Sequence, residues 1–301
     1  MEKHTYRISP YITGVGYALI FGFSFMASKV ALRYATPFQM VGIRYGIAAL
    51  ILVLLWAFRI IKVELSVKQL WMVIPIAVLQ PVIYAIGETY GVAYTSSSMA
   101  GTVTASVPVV TAFLAAVFIK EKLNVKQILF VVLSFLGIIL ISVFSLTLES
   151  ENMALGLLFL GMAVIAASMF HVLARKATQV VSPTSVTFVM VVFSGLVFSG
   201  AGLAEASIKG YAYFAPFAET EFIFAILFLS VFTVNIALFL MTYTVRHISA
   251  SQNAMFANLV TVISIIAGAV FLKEQILLYQ IIGSVMIIAG VWGANYFAEK
   301  A

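Results

Sequence analysis

Ten apolar stretches, each near the length of one bilayer crossing, follow one another along this chain. They cover residues 11–32, 38–58, 70–93, 96–119, 125–146, 153–173, 184–204, 222–245, 249–272 and 276–297. A helix needs about 20 apolar residues to cross roughly 30 Å of hydrocarbon. Most connections are short. The longest, Glu205 to Glu221, carries Tyr211, Tyr213, Phe214 and Phe217, aromatics suited to a membrane interface. Only 9% of the residues are charged and 63% are hydrophobic, against about 25% charged in soluble domains. So few charges cannot cover a water-facing surface. The expectation is an all-α, multi-pass protein of the cell membrane with ten transmembrane helices.

The net charge of +6 reads as topogenic. The basic residues are scattered through short loops and form no patch, so no nucleic acid partner is expected. With the N-terminus inside, the inner loops receive Lys3, Arg7, Arg59, Lys62, Lys68, Lys120, Lys122, Lys126, Arg175, Lys176, Arg246 and Lys300; the outer loops receive Arg33, Lys209 and Lys273. The positive-inside rule then places both termini in the cytoplasm. Lys29 and Arg44 fall inside apolar stretches. The first stretch is too long for a cleaved signal core and is read as a retained helix. The absence of cysteine excludes structural disulfides and thiolate metal sites.

Residues 89–137 superimpose on 242–290 without a gap, and sixteen of the forty-nine positions are identical. The polar matches carry the argument, because apolar bias cannot produce them: Thr89-Tyr90 on Thr242-Tyr243, Ser96 and Ser98 on Ser249 and Ser251, Lys120-Glu121 on Lys273-Glu274, Gln127 on Gln280. The unit is five helices, an odd number, so the second copy enters the membrane inverted. The expected halves are residues 1–148 and 149–301. Inverted repeats recur in transporters, with the substrate site near the midplane between the copies.

Tyr94-Thr95-Ser96, Pro108, Lys120-Glu121, Gln127 and Gly137 resemble the EamA repeat of the drug/metabolite transporter superfamily. Ser249, Glu274, Gln280, Gly283 and Gly290 resemble its second copy, and Phe21-Gly22-Phe23-Ser24 with Lys29 and Arg44 resembles the start of the first. The resemblance spans nearly the whole chain. It implies ten helices, with the first to fourth and sixth to ninth around a central cavity and the fifth and tenth peripheral. Thr261 stands where the first copy has Pro108, which leaves a matching kink in the ninth helix open.

Charges are costly in hydrocarbon, about 2.5–3.5 kcal/mol at mid-membrane, and so point to cavities or partners. Glu88 is the carboxylate well inside an apolar stretch, in line with Gln80 and Tyr84 at i, i+4 and i+8. Pro81 frees the carbonyl of Ala77 and predicts a kink, tolerable where a cavity satisfies the freed group. The three either line a substrate cavity or pack, with Glu88 paired to a cation. Lys29 and Arg44 lie at comparable depth. They either pair with Glu88, bind an anionic substrate group, or extend to the headgroups.

In the second half, Asn235 and Tyr243 share a helical face, and Gln252, Asn253 and Asn258 lie on the ninth stretch. Their readings are substrate contact or hydrogen bonding between helices, the latter worth about 0.6 kcal/mol on average. Small residues including Ser98, Gly101, Ala105, Ser249 and Ala257 read as close-packing surfaces. Lys120-Glu121 and Lys273-Glu274 read as helix-end anchors. The candidate substrate residues are therefore Lys29, Arg44, Gln80, Tyr84, Glu88, Asn235, Tyr243, Asn253 and Asn258. Glu88 and His171 are the candidates for proton coupling.

No H-E-x-x-H, G-x-S-x-G or phosphate-binding glycine loop occurs, and His4, His171 and His247 lie in different regions. An enzyme, a metal site and a cofactor are not expected. The leading expectation is a secondary carrier, exporting a small polar or amphipathic metabolite such as an amino acid by alternating access, as a monomer or homodimer. A lipid or lipid-linked flippase is the alternative.

Overall fold

The computed structural model describes residues 9–119, 125–148, 152–248, 253 and 256–298. Lys120-Glu121, Ser249, Ser251 and Gln252 lie outside the described residues, as do Lys3, His4, Arg7, Lys122 and Lys300. Among the described residues the chain is helical, with no strand. Grouping segments that continue across a bend gives ten rods: α1 (Pro10–Ala31), α2 (Pro37–Ala57), α3 (Val67–Tyr94), α4 (Ser97–Thr104 and Val107–Ile119), α5 (Val125–Leu148), α6 (Met153–Val180), α7 (Pro183–Lys209), α8 (Thr220–His247), α9 (Phe256–Phe271) and α10 (Leu278–Ala298). Seven of them, α1–α4 and α6–α8, are long and apolar enough to cross a membrane; shorter apolar segments occupy Val125–Gly137, Phe256–Phe271 and Leu278–Gly290.

Local chemistry sets the ends. Thr36 and Ser66 open α2 and α3 with capping boxes closed by Gln39 and Gln69, in which side chain and backbone satisfy each other's orphan groups. Ser96 caps α4, and Ser182 caps α7 with Pro183 at its first turn. Gly210, at φ 71°, ends α7 in the left-handed conformation that glycine adopts without steric cost. Lys29 and Arg175 close two other ends. Lys29 Nζ donates to the carbonyls of Val92 (2.8 Å) and Thr95 at the end of α3. Arg175 Nη1 donates to those of Val245 (2.9 Å) and Arg246 (2.6 Å) at the end of α8. Val92 and Val245 are equivalent in the repeat. Each cation therefore neutralises the same helix C-terminus in its own half.

The packing follows the repeat. α3 lies on α6 as α8 lies on α1, and α1 lies on α9 as α6 lies on the second segment of α4. α2 with α7, α4 with α9 and α5 with α10 pair helices that are equivalent to each other. At the last of these, a Cβ on Gly137 would lie 2.7 Å from Gly283 O, and one on Gly290 would lie 2.6 Å from Phe130 O. The glycines repeated in the sequence thus let both backbones approach in the same way. The outer surface is apolar, with Trp71, Leu196 and Ile208 among the large exposed side chains. Lipid is the solvent such a surface requires.

Three rods, α3, α4 and α8, depart from regular helix. Gln80 has non-helical torsions (φ −139°, ψ 116°) and breaks α3 just before Pro81, where the proline predicts a kink. The break ends the regular spacing of Gln80 with Tyr84 and Glu88. In α8, residues Phe228–Ala237 form wide π-type turns with no proline among them. Thr233, opposite Gln80 when the repeat alignment is continued toward the N-terminus without a gap, lies among those turns. α4 is interrupted ahead of Pro108, whereas α9 runs unbroken past Thr261. Thr261 Oγ1 instead donates to the carbonyls of Ala257 and, across the helix pair, Gly101.

Candidate functional site

The break in α3 opens onto a cavity of about 50 Å³ at the centre of the bundle. Its walls come from both halves: Tyr17 and Phe21 of α1, Gln80 and Tyr84 of α3, Thr104 and Val107 of α4, Ala167 and His171 of α6, Met241 of α8, Ala257 and Val260 of α9, and Asn253. α2 and α7 are not among the described lining residues, although eight helices were expected to surround the cavity. They pack against each other instead.

Three polar side chains interlock in the wall. Tyr17 Oη donates toward Asn253, with Oδ1 and the backbone oxygen both at 2.9 Å. Asn253 Nδ2 lies 3.0 Å from His171 Nδ1. With the amide oxygen turned to Tyr17, its NH2 donates to Nδ1, and the hydrogen of the neutral ring sits on Nε2. Gln80 is 4% exposed, and its Oε1 is buried without a hydrogen-bond partner.

A second buried cluster lies between the cavity and the Lys29 end of the bundle. Arg44 Nη1 is 3.2 Å from Glu88 Oε2, with both side chains almost fully buried. Ser28 Oγ donates to Glu88 Oε1 at 3.1 Å. Both carboxylate oxygens are therefore engaged. Nearer that end, Glu274, from the segment joining α9 to α10, clamps the start of α4. Its oxygens accept from the backbone and side chain of Ser97 (2.9 Å each) and of Ser98 (3.0 and 2.6 Å). Gly268 faces this clamp, and a side chain there would strike Glu274 and both serines. At the opposite end, Thr13 and Thr244 join α1 to α8 at 2.8 Å.

A model of the EamA-like transporter family matches residues 8–143 and again residues 154–296. The chain belongs to that family. An uncharacterized transporter of Bacillus subtilis (strain 168), YcxC, is 33% identical over 303 residues, covering 100% of this chain and 96% of that one. An uncharacterized transporter of Archaeoglobus fulgidus is 22% identical over 280 residues, covering 90% and 93%. A solved structure titled only "Crystal structure of protein" aligns with TM-score 0.66 and 15% identity over 97% of this chain and 98% of that one, a likeness of fold. This EamA-like protein is a transporter, with the apolar helices of an integral membrane protein.

The cavity brings together Gln80, Tyr84, Asn253 and His171 from among the residues singled out in the sequence. The others lie elsewhere in this EamA-like fold. Glu88 pairs with Arg44. Lys29 is spent on the α3 carbonyls and makes no hydrogen bond to Glu88. Asn235 Nδ2 donates to Ala48 O of α2 at 3.3 Å, and its Oδ1 is buried without a partner. The wide turns of α8 separate Asn235 from Tyr243, whose ring lies 4.2 Å from that of His247. Asn258 Oδ1 is also buried and unpartnered, outside the cavity wall. Sequence reasoning missed Tyr17 and the clamping role of Glu274. A tyrosine in an apolar stretch rich in aromatics carries no signal of its own, but Lys273-Glu274 stood in the repeat.

Proposed function

We propose that this EamA-like transporter is a ten-span secondary carrier. It binds a small amphipathic metabolite in the central cavity and exports it by alternating access. The cavity itself supports this most: six helices drawn from both halves wall it, and it lies at the break in α3. Intramembrane sites at interrupted helices between repeats are the recurrent carrier arrangement. Gln80, Tyr84, Asn253 and His171 contact the substrate. Arg44, Glu88 and Lys29 hold the scaffold on the outer side.

The Lys29 end faces outward and the Arg175 end faces the cytoplasm, with both termini cytoplasmic and the protein in the cell membrane as a monomer or homodimer. In this conformation Glu274 holds the external ends of α4 and α9 together. Because the chain has no cysteine, single cysteines report accessibility cleanly. Tyr211→Cys should react with an impermeant maleimide added outside intact cells, and a C-terminal reporter should be cytoplasmic. A C-terminus found outside overturns the inverted arrangement. Efflux from preloaded cells tests direction: accumulation that falls on expression supports export, and accumulation that rises refutes it.

A further inference from the structure

The cavity wall holds six side chains that decide what can sit there: the rings of Tyr17, Phe21 and Tyr84, and the polar groups of Gln80, His171 and Asn253. Among the described lining residues there is no carboxylate, lysine or arginine. The neighbouring residues 249–255 contain none either. The charged groups flanking the wall are occupied: Glu88 by Arg44 and Ser28, Lys29 by two carbonyls of α3, and Arg175, one turn from His171, by two carbonyls of α8. An ionised ligand group would leave water here with no counter-charge to receive it, which is heavily penalised in a low-dielectric site.

The hydrogen-bonding pattern is directional. Asn253 holds the His171 ring by Nδ1, so Nε2–H remains as a donor. Gln80 supplies a buried carbonyl oxygen without a donor, and a half-turn of its amide exchanges that oxygen for the NH2. A buried polar atom without a partner in a native fold calls for an explanation, and a ligand N–H or O–H supplies one.

We infer that the cavity binds an uncharged molecule with a flat, ring-sized apolar body, one hydrogen-bond acceptor and one donor, such as a carboxamide, lactam or neutral heteroaromatic compound. This rests on the carrier reading for its physiological meaning and narrows its substrate class. It excludes free amino acids, which are zwitterions at neutral pH. The ligand's acceptor takes Nε2–H of His171, its donor meets Gln80, and its ring lies against the three aromatic side chains.

Benzamide, benzoate, benzylamine and phenylalanine test this, because they share a ring and differ in charge. Each is titrated calorimetrically into the full-length protein in nanodiscs, with empty nanodiscs as the reference. Benzamide should bind at least about tenfold more tightly than the other three, the discrimination expected when charge or an unpaired polar group must be buried. Gln80→Leu should lose about tenfold in benzamide affinity, and Gln80→Glu should shift the preference toward benzylamine. Equal or tighter binding of a charged member, no binding of benzamide at millimolar concentration, or unchanged benzamide binding by a folded Gln80→Leu overturns the inference. Uptake of benzamide by proteoliposomes is read separately. Binding without uptake supports the site assignment and counts against the carrier reading.

Discussion

Arg44 and Glu88 meet at 3.2 Å in the interior of the helix bundle, with side chains 3% and 2% exposed. Removing one partner leaves the other as an uncompensated buried charge, which costs about 3–5 kcal/mol, whereas replacing both with apolar residues of similar size is often near neutral. Arg44→Ala and Glu88→Ala are each expected to lower stability by that amount. The pair Arg44→Met with Glu88→Leu should recover most of it. Denaturation in detergent closes the cycle. Losses that simply add would show that the two residues are not coupled.

Lys29 and Arg175 terminate equivalent helices in the two halves. A hydrogen bond from a charged donor contributes about 1.5–3 kcal/mol. Lys29→Met and Arg175→Met should each destabilise by roughly that range, while benzamide affinity stays within about twofold, because neither residue lines the cavity. A selective loss of affinity in a stable Lys29→Met protein would return Lys29 to the binding site.

Glu274 joins the halves through four hydrogen bonds to Ser97 and Ser98. Glu274→Gln keeps the shape but removes the charge and replaces one acceptor with a donor, so several of these bonds weaken. Ser264, buried against Gly101, becomes the probe. Labelling of Ser264→Cys from outside should rise about tenfold or more with Glu274→Gln, equivalent to about 1.4 kcal/mol of closure energy. Unchanged labelling would mean that the clamp does not hold that end shut.

The proton-coupling hypothesis has two candidates, and geometry separates them. Glu88 has both oxygens engaged away from the cavity. His171 lies in the cavity wall, in contact with an asparagine amide that can reverse to accept from Nδ1–H when the ring is protonated. If benzamide uptake by wild-type proteoliposomes responds to an imposed pH gradient, His171→Gln should abolish the response and Asn253→Leu should weaken it. A full response in His171→Gln would place the proton elsewhere.

Sequence alone determined the solvent, the element type and the repeat. The ends set by Thr36 with Gln39, Ser66 with Gln69 and Gly210 were not read from the sequence, but long apolar stretches with few charges require lipid and a repeat is legible residue against residue, because both signals are local in the chain. The repeated Gly137 and Gly290 were legible for the same reason: a position that must lack a side chain leaves its mark in each copy. The break at Gln80 was foreshadowed by Pro81. Tertiary structure alone decided the wide turns of α8, which contain no proline, since packing rather than local strain sets them. It also decided which buried charges meet. Arg44, Lys29 and Glu88 read as one group by depth, but depth along a helix leaves azimuth open, and azimuth sends Arg44 to Glu88 and Lys29 to the carbonyls of α3. The cavity is likewise a property of six helices at once. Tyr17, Asn253 and His171 lie far apart in the chain, and only the crossing of α1 with the second half brings them within hydrogen-bonding distance.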